Sequence, residues 1–158
     1  MPELSLEKLV SNTISGGNWQ NIGFKKRAGV LIPLFTVYSK NSYGIGDLGD
    51  LKLVIDWAKL TANSIIQLLP MNEVGSLFCP YDALSSFALE PAYICLKDFP
   101  EISGEKFNSV STEPNYVDYG LKKEKLRLLW DVYLATDLSD SLDFEDFQRA
   151  NFYWLLDF

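Results

Sequence analysis

The sequence contains no histidine, the side chain that most often serves as a general base in enzymes. Serine and cysteine nucleophiles usually depend on imidazole, so this absence argues against hydrolases of the triad type. Only two cysteines are present, Cys79 and Cys95, without the close spacing of metal or redox motifs. We therefore expect no zinc site, no disulfide framework and no cofactor, and carboxylates must carry any proton transfer.

A basic charge excess and a long hydrophobic run are also absent. The formal net charge is −7, which leaves no basic surface for a phosphate backbone and argues against a nucleic acid partner. No apolar run approaches the roughly 20 residues that cross a bilayer, and the N-terminal sequence lacks an apolar signal core. We expect a cytoplasmic protein without a membrane partner, and the sequence leaves its oligomeric state open.

The chain does contain enough apolar residues for a real core. It has 158 residues, of which 47% are hydrophobic, as expected of one globular domain. Aromatic residues make up 14%, and their rings could stack on sugars. Core packing is the better explanation for most of them, so composition alone does not indicate sugar binding.

Two apolar runs of strand length flank a helical pattern. Residues 30–35 predict a strand buried on both faces, with Pro33 near its end, and residues 64–69 predict a second. A helix should begin near Asp47 or Asp50. Its apolar face contains Leu51, Val54, Ile55 and Ala58. The order strand, helix, strand predicts a βαβ unit with parallel strands and a right-handed crossover.

The rest of the chain is less regular. A short helix is predicted over residues 4–10, followed by a polar loop at residues 15–17, and an extended segment is predicted at 93–96. Two packing helices are expected near the C-terminus. The apolar face of the first contains Leu126, Leu129, Trp130, Tyr133 and Leu134, and that of the second contains Phe144, Phe147, Asn151, Trp154 and Leu155.

Residues 44–49 match the dinucleotide-binding pattern G-x-G-x-x-G, and Glu73 follows where a ribose-binding acid would be sought. Eight residues separate Phe35 from the first glycine, which is too long for a phosphate-binding turn. Asp47 would also place an anion at the helix N-terminus that a phosphate should occupy. Turn formation explains the glycines more simply, so a dinucleotide-binding module ranks third among our hypotheses.

Several short motifs, taken in order, resemble the opening of amylomaltases, the 4-alpha-glucanotransferases or disproportionating enzymes of glycoside hydrolase family 77. Each motif is weak alone, but their order and spacing are specific. They are Arg27-Ala28-Gly29, Pro33-Leu34-Phe35, Tyr43 to Gly49, Asp56-Trp57-Ala58, Gln67 to Pro70, Cys79 to Ala83, Ser85 to Ala88, Pro91 to Ile94 and, more faintly, Val117-Asp118-Tyr119 and the last predicted helix.

This resemblance implies an α/β fold in which a (β/α)8 barrel transfers α-1,4-glucan segments by a retaining mechanism with three carboxylates. Such a barrel takes about 250 residues, and this chain spells out only the first βαβ unit plus a mostly helical insertion. We expect residues 1–27 to be an N-terminal extension and residues 28–158 to be the N-terminal part of a catalytic barrel. The chain ends on an apolar helical face without a stop signal, which predicts truncation before the catalytic carboxylates.

By resemblance, Tyr81 matches the family tyrosine that stacks on the sugar beside the scissile bond. Pro80 would fix its loop, and Ser85 would cap or hydrogen-bond nearby, which makes these three the substrate-binding candidates for a maltooligosaccharide or α-glucan. Two positions depart from the family. Cys79 replaces serine and weakens a donor to sugar, and Glu90 replaces Asn or Asp and should cap its turn less well.

None of the acids in the chain is assigned a catalytic role, since capping and solvated loop charges explain them as well. The acids considered for such a role are Asp47, Glu73, Asp82, Glu90 and Asp98, five of the 21 in the chain. The leading hypothesis is a glucanotransferase fragment that is inactive alone. The alternative is a non-catalytic glucan-binding protein, although an unfinished barrel would expose apolar surface and unpaired strand edges.

Overall fold

The computed structural model describes residues 5–76, 78–102, 117–137 and 141–157. Leu4, where the first helix was expected to begin, lies outside these residues. The helices and strands are α1 (Leu6–Ser11), α2 (Gly16–Ile22), β1 (Gly29–Ile32), α3 (Leu48–Leu60), β2 (Ile65–Leu68), α4 (Leu121–Ala135) and α5 (Leu142–Leu155). Single 3-10 turns cover Leu34–Thr36, Pro91–Tyr93 and Leu96–Asp98.

The predicted βαβ unit is present. Strands β1 and β2 pair in parallel with Gly29 opposite Ile65, and α3 connects them. A Cβ on Gly29 would lie 2.5 Å from the carbonyl oxygen of Ile65, so the residue must be small for the strands to approach. β1 ends directly before Pro33, as expected of a residue that cannot donate to the ladder. Residues 34 and 35, predicted as strand, instead form a 3-10 turn.

Strand β1, which was predicted to be buried on both faces, is open on one face within the described residues. Exposed and half-buried residues alternate along each strand, and Leu31 and Ile65 are 57% and 47% exposed on one face of the sheet. A parallel sheet is normally covered on both faces, but in the described part of the chain this face has no covering layer.

The buried core lies among the loops that follow the strands rather than against the sheet. One cluster contains Tyr43, Leu96, Ile102 and Leu128, and a second contains Ile45, Val74, Phe78 and Ala92. Helix α4 supplies Leu128 to the first cluster and packs Leu121 against the second. It therefore holds together the segments that leave β1 and β2.

Two local predictions need correction. Tyr93 and Leu96 lie in separate 3-10 turns rather than in an extended segment, because Pro91 fixes φ and Glu90 caps the first turn. Residues 16 and 17, predicted as loop, begin α2. A Cβ on Gly16 would lie 2.5 Å from the Ser11 carbonyl oxygen, so this glycine serves close packing between α1 and α2.

The two predicted C-terminal helices are present, but the predicted apolar face of the first was only partly right, because Leu129 packs against the core and Leu126 is half-buried. Helix α4 buries Lys125 and Leu128, whereas Trp130, Tyr133 and Leu134 are exposed. Lys125 lies on the buried side of the helix, where its Nζ is 3.1 Å from Asp47 Oδ2. Helix α5 buries no residue completely and contacts Phe87, whose ring stacks on Trp154 and meets Tyr153 edge-on. No described helix combines the length and hydropathy of a membrane span.

Candidate functional site

The segment that follows the carboxyl end of β2 folds back on itself. The Glu73 amide donates to the Ala88 carbonyl at 2.8 Å, and the Leu84 amide donates to the Glu73 carbonyl at 2.8 Å. Antiparallel bridges join Val74 to Ala83 and Asn72 to Leu89. These contacts close the base of an excursion that we call the Tyr81 loop, which the structure describes at residues 75, 76 and 78–83.

The aromatic ring of Tyr81 extends from this loop into solvent, and the residue is 74% exposed. A turn in which the Asp82 amide donates to the Cys79 carbonyl at 3.0 Å carries it, and half-buried Pro80 lies within the turn. The ring is therefore free to stack on a flat apolar surface such as a pyranose face. Its role in sugar binding stays a prediction.

Ser85, the third predicted site residue, has a structural task. Its Oγ accepts hydrogen bonds from the amides of Phe87 at 3.2 Å and Ala88 at 3.0 Å, which closes the turn after the Tyr81 loop. Ser85 therefore caps this turn, as the sequence suggested, and stabilises the segment that directly follows the Tyr81 loop.

Glu90 does more than the sequence suggested. We expected it to cap its turn less well than Asn or Asp, yet its Oε1 accepts from the Ala92 amide at 3.2 Å. The longer side chain also reaches across to accept from the Val74 amide through Oε2 at 3.0 Å. Glu90 is buried, so it joins the base of the Tyr81 loop to the following 3-10 turn.

Lys122 of α4 completes this contact. Its Nζ lies 2.8 Å from Glu90 Oε2 and donates to the Val74 carbonyl at 2.6 Å. The ammonium also lies 5.5 Å from the centre of the Phe78 ring. Together Glu90 and Lys122 satisfy both backbone polar groups of Val74, and we call these three residues the Val74 clamp.

A second ion pair holds the segment that follows β1. Asp47 caps α3 by accepting from the amides of Gly49 at 2.8 Å and Asp50 at 3.3 Å, and its Oδ2 lies 3.1 Å from Lys125 Nζ. Burial raises the pKa of Asp47, although Lys125 opposes the shift. Burial likewise lowers the pKa of Lys125, opposed by Asp47. Each partner thus offsets the other's desolvation.

Asp50 fixes the loop before α3. Its carboxylate accepts from the hydroxyls of Ser39 and Ser42, and from the Asp47 amide at 3.0 Å, which completes a capping box. The prediction that α3 begins near Asp47 or Asp50 is therefore confirmed in detail.

The same geometry gives residues 44–49 a role other than phosphate binding. Asp47 already occupies the first amides of α3. A Cβ on Gly46 would lie 2.1 Å from the Leu34 carbonyl oxygen, and one on Gly49 would lie 2.7 Å from Cys95 Sγ. These glycines allow close packing of the chain, which supports the structural explanation given from the sequence.

Three of the five candidate acids, Asp47, Glu90 and Asp98, lie beside lysines in the structure. Asp47 and Glu90 are buried and each bonded to a lysine and to backbone amides. Asp98 lies at the surface, 4.0 Å from Lys52. Within the described ranges, no group of three or more His, Cys, Asp or Glu side chains is arranged to hold a metal ion.

Lys122 and Lys125 were not identified from the sequence as residues that hold the site together. The signal that could have found them is their spacing. Residues three apart share a helix face, and this pair interrupts apolar positions Leu121 and Leu128 on the same side.

Comparison with known proteins gives the family. Residues 32–158 match the family model described as 4-alpha-glucanotransferase. The chain is 31% identical to the 4-alpha-glucanotransferase of Chlamydia pneumoniae over 96% of its own length and 31% of the relative's. It is 36% identical to that of Chlamydia trachomatis over 63% of the chain and 19% of the relative. It is 31% identical to 4-alpha-glucanotransferase DPE2 of Oryza sativa over 81% of the chain and 15% of the relative. The chain thus spans about a third or less of the length of these relatives.

Proposed function

The chain belongs to the 4-alpha-glucanotransferase family, and on that premise we propose that it takes part in transferring α-1,4-glucan segments to glucose or maltooligosaccharide acceptors. The match over residues 32–158 carries this proposal. The reaction would follow a retaining mechanism, in which one carboxylate attacks the sugar and another acts as acid and base. We propose that those carboxylates belong to the part of the family's length that this chain does not span.

We further propose that β1, α3 and β2 form the first βαβ unit of a (β/α)8 barrel, within residues 28–158. The parallel pairing of the strands supports this. So does the open apolar face that contains Leu31 and Ile65, which further strands and side chains of a barrel interior would cover.

Within this frame, Tyr81 is our proposed sugar contact. It follows the carboxyl end of β2, and barrel enzymes build their sites from the loops at that end of the strands. Its exposure supports the same role. Pro80 and Ser85 hold the loop that presents it.

A chimera tests the proposed transfer activity. This chain would replace the matching part of the Chlamydia pneumoniae 4-alpha-glucanotransferase, and the chimera would be incubated with maltotriose. We expect glucose and longer maltooligosaccharides from the chimera, and neither from the 158-residue chain alone. Replacing Tyr81 by Ala should lower kcat/KM about tenfold, the effect of losing roughly 1.4 kcal/mol of stacking.

Tyr133→Ala is the matched control for this experiment. Tyr133 is also an exposed tyrosine, but it contacts Trp130 on α4 and lies outside the Tyr81 loop. Its removal should leave kcat/KM unchanged. A chimera that is folded by circular dichroism but transfers no glucan would refute the proposed function.

A second candidate is a glucan-binding protein without transfer chemistry. It is supported by the combination of an exposed Tyr81 with buried carboxylates at Asp47 and Glu90 that are bonded to lysines. A chimera that binds maltoheptaose in a Tyr81-dependent manner, yet releases no glucose from maltotriose, would favour this candidate over the first.

A further inference from the structure

Helix α4 presents two lysines, one helical turn apart, to two different segments. Lys125 bonds to Asp47 before α3, and Lys122 bonds to Glu90 and to the Val74 carbonyl below the Tyr81 loop. Both ion pairs are largely removed from solvent. The two ion pairs therefore have the same chemistry, but one fixes the start of α3 and the other fixes the base of the Tyr81 loop.

The Val74 clamp lies at the point where the Tyr81 loop leaves the rest of the chain. Val74 pairs with Ala83 across the base of the loop, and the neighbouring Glu73 carbonyl accepts the Leu84 amide. Glu90 holds the Val74 amide while Lys122 holds the Val74 carbonyl. Val74 therefore cannot turn its peptide groups without breaking a charge-assisted hydrogen bond.

We propose that Glu90 and Lys122 are positioning residues for glucan binding, which act through the Val74 clamp to hold Tyr81 in its sugar-stacking conformation. This inference rests on the proposed contact of Tyr81 with sugar and adds a pair of residues that do not touch the sugar themselves. A loop that is held in the competent conformation binds without an ordering cost. If loss of the clamp leaves the loop competent for about a tenth of the time, the apparent Kd rises about tenfold.

Lys122→Met in the 158-residue chain tests the proposal, with Lys125→Met as the matched control. Hydrogen exchange would report on the amides of Val74, Asp82 and Leu84. An NMR spectrum of protein with isotope-labelled tyrosine rings would report the response of Tyr81 to maltoheptaose. We expect Lys122→Met to speed exchange at these amides and to raise the half-saturating maltoheptaose concentration, each by about tenfold. Lys125→Met should change neither, although it lowers stability.

Two further variants separate positioning from a general loss of structure. Glu90→Gln keeps the shape and one acceptor oxygen but removes the charge, so it should shift both readouts in the same direction even if Lys122→Met fails to fold. Lys122→Arg keeps the positive charge and should restore most of the sugar response.

The outcomes distinguish this inference from the proposed function. A wild-type response to maltoheptaose that is lost in Tyr81→Ala but unchanged in Lys122→Met and Glu90→Gln overturns the clamp alone. No response of Tyr81 in the wild-type chain overturns both the sugar contact and the clamp. An equal loss of sugar response in Lys125→Met protein that circular dichroism shows to be folded overturns the clamp.

Discussion

At the scale of single residues, the two lysines of α4 determine which charges this fold can bury. Asp47 and Lys125 are almost completely buried, so each would be costly alone. Their contact at 3.1 Å, with the backbone amides that Asp47 also accepts, offsets that cost. The buried Glu90 is likewise compensated by a lysine and by backbone amides. Its side chain is longer than that of Asn or Asp, and it reaches a second backbone amide, that of Val74.

Replacing Lys125 by Met should lower the free energy of unfolding by about 3–5 kcal/mol, because Asp47 is left buried without its partner. The double variant Lys125→Met with Asp47→Asn should lose less than the sum of the two single variants. Urea denaturation of all four proteins measures this coupling. Additive losses would mean that the pair does not interact in solution.

The pH dependence of the Lys125→Met variant follows from the pKa of Asp47. Burial already raises this pKa above the ordinary 3.8, and loss of the opposing Lys125 charge raises it further. The folded variant then binds a proton at a pH where the unfolded chain has released it, so lowering the pH stabilises the folded form. The stability deficit relative to wild type should shrink from pH 7.5 towards pH 5, as measured by urea denaturation at each pH. A deficit that grows towards pH 5 would contradict this.

At the scale of elements, the start of α3 depends on close packing as well as on capping. Asp47 and Asp50 form the capping box, and Asp50 also binds Ser39 and Ser42 of the preceding loop. Gly46 lets this loop pass directly against the 3-10 turn after β1, with the Gly46 amide donating to the Phe35 carbonyl at 3.2 Å. Sequence reasoning identified the glycines as turn formers, but only the packed structure shows which carbonyl oxygens they approach.

Gly46→Ala should destabilise the protein by more than about 2 kcal/mol, because the new Cβ would lie 2.1 Å from the Leu34 carbonyl oxygen and the backbone would have to shift. Gly17→Ala is the control. Nothing lies within 4 Å of a Cβ there, so the change should stabilise α2 by about 0.5–1 kcal/mol. Thermal unfolding followed by circular dichroism measures both, and equal stability of the two variants would show that Gly46 is not confined.

At the scale of the whole molecule, the described residues leave a large apolar surface open. Leu31 and Ile65 share one face of the two-stranded sheet, and Trp57 and Leu60 are exposed on α3. Two strands alone are marginally stable, and exposed apolar sheet surface favours self-association. The core clusters beside α4, away from the sheet, therefore supply most of the apolar burial in this part of the chain.

Replacing Leu31 and Ile65 together by Lys should reduce the binding of an apolar dye and the sedimentation coefficient at high concentration. Both residues are about half exposed, so the free energy of unfolding should change little. In the control, Val30 and Ile66, which are half-buried on the other face, are both replaced by Lys. We expect this control variant to lose cooperative unfolding. Unchanged dye binding in the first variant would show that this face is covered in solution.

The sequence by itself determined the βαβ unit, the place where α3 begins, the end of β1 at Pro33 and the resemblance that leads to the family. These features can be predicted from local sequence patterns, because the hydropathy period, capping residues and proline act within a few positions of the chain. The exposed Tyr81 also came from the sequence as a candidate, and its role in sugar binding awaits the experiment above.

Only the tertiary structure decided which face α4 buries and what Glu90, Lys122 and Lys125 do. Hydropathy places lysine at the surface, but a buried carboxylate distant in sequence reverses that preference. Lys125 meets Asp47 across 78 positions and Lys122 meets Glu90 across 32. No local pattern records such a pairing, since it exists only where the fold brings the two charges together.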